Sequence, residues 1–130
     1  MNEALEFHDS VVASITVEDD GLLVNFSEAY VHRSIGRPGV SAGDGFVGPA
    51  KLFFLGATWS GELAGAIGPI SDARIVIADQ AHSLLKLPFK TESTLSAEFS
   101  FASGAELRVS ASGVTCVVTG PARFVEHYPG

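Results

Sequence analysis

Leu95-Ser96-Ala97-Glu98-Phe99-Ser100-Phe101, Glu106-Leu107-Arg108-Val109-Ser110-Ala111 and Val114-Thr115-Cys116-Val117-Val118 alternate apolar and polar residues with almost no exception. A period of two is the signature of a strand with one buried face, and the short Gly-containing breaks between the runs are turn signals. The pattern predicts a three-stranded antiparallel meander. Its inward face is Leu95, Ala97, Phe99, Phe101, Leu107, Val109, Ala111, Val114, Cys116 and Val118. Glu98 and Arg108 fall on the solvent face, where charge discourages edge association.

Working outward, Val11 to Val17 alternates in the same way, Asp19-Asp20-Gly21 supplies a tight reversal, and Leu22, Val24 and Phe26 resume the pattern. This reads as a hairpin with Val11, Ala13, Ile15 and Val17 on one face. A phase slip near Phe26-Ser27-Glu28 fits a β-bulge. Arg33 to Pro49 is broken by five glycines and two prolines and reads as a long surface loop. Lys51 to Ala57 is a nearly continuous apolar run, as a central strand requires, and Ile75 to Ala78 is another strand. Residues 79–87, with Asp79 as a cap and Pro88 as a stop, are the one place where a helical turn fits. The segment 122–128 either extends the last strand or lies across the sheet. The expected fold is all-β: one domain over residues 1–130, an antiparallel β-sandwich or flattened barrel of about eight strands with at most one short helix.

Composition narrows the function classes. Fifteen acidic against eight basic side chains give a net charge of −7, which repels phosphate backbones and anionic lipid and favours a basic protein partner. No apolar run approaches the ~20 residues of a membrane span. The opening Met1-Asn2-Glu3-Ala4-Leu5-Glu6 is acidic where a secretory signal is basic, so a cytoplasmic location is expected. The single Cys116 has no disulfide partner within the chain and reads as a small buried hydrophobe.

The chemistry-bearing residues form no recognised motif. His8, His32, His82 and His127 share no metal-ligand spacing, no Gly-x-Ser-x-Gly elbow is present, and neither glycine cluster continues as a phosphate loop. No metal, no cofactor and no catalytic residue is therefore expected. His8 and Asp9 could share a proton only if the chain turns between them, because neighbours on a strand face opposite ways. The structural alternative has His8 in a polar slot and Asp9 or Ser10 bonding backbone amides. His32, Arg33, Arg37 and Asp44 lie on or beside the long loop and are candidates for holding a ligand or partner. Trp59, the only tryptophan, either caps the core or anchors a partner.

The opening Leu5-Glu6-Phe7-His8-Asp9-Ser10-Val11-Val12-Ala13-Ser14-Ile15 and the hairpin after it resemble the start of small bacterial β domains, some of them immunity proteins of bacterial toxin systems. The shared features are an aromatic-His-Asp-small tetrapeptide, an apolar residue soon after it and an Ile before the first turn. Phe7 stands where other members have Trp. The resemblance implies binding without catalysis. Three functions are thus expected in competition: a protein-binding domain, in its narrower form a toxin-neutralising protein; a small-ligand binder or enzyme with its pocket at the 33–49 loop; and a structural homo-oligomer that hides apolar surface and Trp59.

Overall fold

A computed structural model describes all 130 residues. The chain is all-β, and the alternating runs read from the sequence are strands. β1 (Asn2–Glu18), β2 (Gly21–Ser34) and β3 (Gly43–Leu55) are long; β4 (Thr58–Ser60) follows, then a single 3-10 turn (Leu63–Gly65) and β5 (Gly68–Ile77). β6 (Gln80–His82), β7 (Leu84–Leu87) and β8 (Phe89–Thr91) are short, and β9 (Leu95–Phe101), β10 (Glu106–Ala111), β11 (Gly113–Val118) and β12 (Arg123–Tyr128) complete the chain. No helix is long and apolar enough to cross a membrane.

All strands belong to one open antiparallel sheet, in the order β4-β10-β9-β5-β1-β2-β3-β11-β8, with β12 beside β3, β6 beside β5 and β7 beside β1. The sheet doubles over so that β9 faces β1 and β3. Phe99 meets Phe7 edge-on with ring centroids 5.7 Å apart and Phe54 at 6.2 Å. β5 makes the fold, starting against Val11 and Val12 of β1 and continuing along β9. One core of 26 buried residues fills the space between the two layers. Burial of that apolar surface is the main favourable term in folding such a sheet.

Four expectations are corrected by this arrangement. First, the strands number twelve rather than eight, because several are only three or four residues long. Second, the three alternating runs do not form a meander: β9 and β10 pair, but β11 crosses at Ser112 to the other layer and pairs with β3 and β8. β10 already has β9 on one side and, along Arg108–Ser110, β4 on the other. The inward face survives the crossing, except that Val118 is exposed. Third, the irregular stretch is only residues 35–42. Gly43, Gly45 and Gly48 lie within β3, where a side chain would collide with the Arg33 backbone, the Tyr30 side chain and the Pro121 carbonyl respectively. Fourth, residues 79–87 hold no helix; Ala78 and Asp79, both with positive φ (49° and 64°), make the two-residue reversal between β5 and β6.

The first hairpin also departs in detail. Register shifts around Val11 and Val12 bury Val12 and leave Ala13 and Val17 exposed, so the inward phase is not the one the alternation suggested. The bulge read at Phe26–Glu28 is present between Phe26 and Ala29. β12 runs along the same edge of β3 as β11, so it extends that strand past Gly120-Pro121. Glu98 sits on an interior strand between Arg74 and Arg108, each 3.8 Å away, as a cross-strand ladder rather than an edge guard. Its exposed ion pairs contribute little to stability.

Cys116 is fully buried, and burial pushes its thiol up to about 12. A raised native value means that the folded state keeps its proton while the unfolded thiol ionises. The stability tied to this proton is complete below the ordinary thiol range and is lost as pH climbs from there towards 12, with a limiting slope of about 1.4 kcal/mol per pH unit. Denaturant unfolding between pH 8 and pH 11 should therefore fall more steeply for the native protein than for Cys116→Ala. Parallel curves would refute the burial effect.

Candidate functional site

The sequence candidates separate into two ends of the long β1–β2–β3 sheet. At one end, β2 and β3 are joined by the 35–42 loop, and β12 closes alongside β3. Strand alternation sends His32 and Arg33 to opposite faces. On the inner side Arg33 is ion-paired with Glu3 and its guanidinium lies 4.1 Å from the centroid of Phe46, which in turn meets Phe124 edge-on at 5.7 Å. Beyond them Asp44 Oδ1 lies 3.0 Å from His127 Nδ1. Arg33 and Asp44 are therefore already partnered.

The outer face carries His32 among Glu6, Tyr30 and Tyr128. His32 Nε2 is buried 3.4 Å from Glu6 Oε2, an ion-pair distance without hydrogen-bond alignment. The His32 ring lies 4.9 Å from Tyr30 and 6.1 Å from Tyr128. Tyr30 Oη donates to Glu126 Oε1 at 2.5 Å. Burial, then the hydrogen bond and charge of Glu126, with smaller effects from Glu6 and Asp9, hold the phenol above its usual range, so it keeps its proton. Gly45 makes this possible, because a side chain there would meet Tyr30 Cζ at 2.7 Å. Glu6, Tyr30, Glu126 and Tyr128 carried no signal in the sequence: Tyr30 and Glu126 are 96 residues apart.

The loop over this face is tightly tied. Ser34 Oγ donates to the Ala42 carbonyl (2.7 Å) and accepts from Gly36 N (2.9 Å), while Ser41 Oγ accepts from Arg37 N (3.0 Å). The Arg37 carbonyl accepts from both Val40 N and Ser41 N, and Asn2 Nδ2 holds the Gly36 carbonyl at 2.7 Å. Gly39 has a φ of 80°, and a Cβ there would come within 3.0 Å of Leu84 and 3.7 Å of the His32 ring. Between this loop and β7 opens a cleft of about 350 Å³ to which Arg37 contributes.

His8 and Asp9 stand on a bulge in β1 where four residues, Phe7 to Ser10, oppose Ala29 alone. His8 is exposed rather than in a polar slot, and its Nδ1 lies 3.3 Å from Asp9 Oδ2. The two do come together, because Asp9 takes a φ of 72°. No backbone amide bonds to Asp9; Ser10 does that work, accepting from Tyr30 N (2.9 Å) and donating to the Glu6 carbonyl (2.6 Å).

Trp59 lies at the other end, on the edge strand β4 opposite Val109 of β10. It shares a face with the buried Val109, at the rim of the core, and is 37% exposed. A cleft of about 300 Å³ beside it is shared with Val17, 57% exposed, and with Glu18, Asp19 and Asp20 of the first hairpin turn. Gly56 N donates to the Asp20 carbonyl (2.8 Å), which ties this turn to the start of β4. None of the three carboxylates makes an ion pair. No set of three or more His, Cys, Asp or Glu side chains converges as a metal-binding group. No family model, no curated protein and no solved structure matches this chain.

Proposed function

We propose that this chain is a non-catalytic binding domain that takes a basic segment of another protein at the Trp59 end of the sheet. The observation that carries the reading is the placement of the single tryptophan, exposed on an edge strand, beside three unpaired carboxylates. An indole face attracts a Lys or Arg cation, by roughly 0.5 to 2 kcal/mol according to how far it is desolvated, and carboxylates at its rim select that charge. Tryptophan is also among the residues that dominate interface energetics. The net charge of −7 adds long-range steering of a basic partner. In its narrower form the partner is a bacterial toxin whose basic surface is covered, which rests on the resemblance of the opening residues together with this charge.

Because Trp59 is the only tryptophan, its emission reports this site alone. Titration with a Lys- and Arg-rich peptide should give a saturable change in emission that weakens steeply with salt. Asp19→Asn combined with Asp20→Asn should raise Kd roughly tenfold. Emission that ignores the peptide, or binding indifferent to both salt and the double variant, would refute the proposal.

A further inference from the structure

We infer a second, separate binding site: the cleft between the 35–42 loop and β7 takes a small organic acid, with its carboxylate on Arg37 and Lys86 and its apolar body on Ala4 and Leu84. The inference does not depend on the Trp59 reading, since the two sites lie at opposite ends of the β1–β2–β3 sheet.

Charge is the first support. Arg33, Arg74, Arg108 and Arg123 each face a carboxylate, as an excess of acidic residues makes easy. Arg37 faces none, and neither does Lys86, and both line the same cleft. Two unpaired cations meeting in a chain of net charge −7 form a local field opposite to that of the whole molecule. Glu3, also at the cleft, does not cancel it because its carboxylate is held by Arg33.

Shape is the second. Ala4, Leu84, Pro38 and Val40 give the cleft an apolar lining, and its volume of about 350 Å³ suits a small molecule. The third support is rigidity. Hydrogen bonds hold the Arg37 backbone at both its N–H and its carbonyl, and Asn2 ties the loop to β1, so little ordering is left for a ligand to impose. A guanidinium fork binds a carboxylate through two parallel hydrogen bonds, and the ammonium of Lys86 adds a point charge. His32, a candidate from the sequence for such a pocket, lies against Glu6 near Gly39 and does not line the cleft.

The test is a backbone amide NMR titration with hexanoate and with benzoate, using hexanol and acetate as controls that carry only the body or only the charge. At least one of the two acids should produce saturable shifts centred on Gly36, Arg37, Gly39, Val40, Leu84 and Lys86. Arg37→Gln should raise Kd roughly tenfold and Lys86→Gln several-fold, with spectra otherwise unchanged because both side chains are exposed. Hexanol and acetate should each bind far more weakly. The inference is overturned if neither acid saturates, if the shifts centre elsewhere, if Arg37→Gln binds like the native protein, or if hexanol matches hexanoate. Trp59 emission should not respond to either acid, which keeps this outcome distinct from that of the basic peptide.

Discussion

Phe99→Ala should cost about 3 to 5 kcal/mol, the largest loss expected of any single substitution in this chain. Phe99 is buried at the centre of β9 and is the side chain that touches both Phe7 of β1 and Phe54 of β3. Truncation removes these two ring contacts between the layers and leaves a cavity that cannot readily collapse, because β9 is held by β5 on one side and β10 on the other. Edge-to-face aromatic pairs add about 0.5 to 1.5 kcal/mol beyond the area they bury. Urea unfolding measures the loss as a lower midpoint at unchanged slope. Phe124→Ala is the control: its ring also meets another edge-on, but it is 56% exposed and should cost less than about 1 kcal/mol. Equal costs for the two would mean that the Phe99 ring contacts add nothing to the packing of the layers.

Ser10→Ala should cost about 2 to 3 kcal/mol, a large effect for the loss of one oxygen. The β1 bulge interrupts the ladder with β2, and the fully buried Ser10 hydroxyl replaces the missing backbone partner by accepting from Tyr30 N and donating to the Glu6 carbonyl. Alanine leaves the buried Tyr30 N–H without this acceptor and removes the donor to the part-buried Glu6 carbonyl. Both also flank the outer-face cluster, so the Tyr30–Glu126 contact should loosen with it. The neighbouring residue behaves differently. Asp9 makes no backbone bond, but its positive φ means that Asp9→Ala should cost about 1 kcal/mol through conformation, while Asp9→Gly should be close to neutral. Chemical denaturation of the three variants separates these causes. A Ser10→Ala protein as stable as the native one would show that the bulge is held some other way.

Much of the site was invisible in the sequence for a definite reason. His32, Arg33, Arg37 and Asp44 were legible as polar residues near a chain reversal, and the structure does gather them at one end of the sheet. Which of them remain free was not legible, because Glu3 and His127, the partners of Arg33 and Asp44, come from distant segments. Lys86 stood inside a segment read as a helical turn, and only its pairing with Ala4 brings it beside Arg37. Trp59 was legible as a residue with two possible fates; a three-residue edge strand leaves too little cover to bury it.

What the sequence by itself determined is the local geometry of its alternating runs: strand rather than helix, and, between Leu95 and Cys116, which side chains face inward. From Leu95 to Cys116 every residue assigned inward is buried, because a period of two is set by the pleat of a single strand and needs no neighbour. The tertiary structure alone decided who pairs with whom. Alternation gives β11 an apolar face but not a partner, and β10 was already hydrogen-bonded on both sides, so β11 satisfied its backbone groups on β3 in the other layer. The glycines of β3 were misread for the same reason. In isolation they break a pattern; in the sheet they are the positions where Tyr30, Arg33 and the Pro121 carbonyl come too close for a side chain.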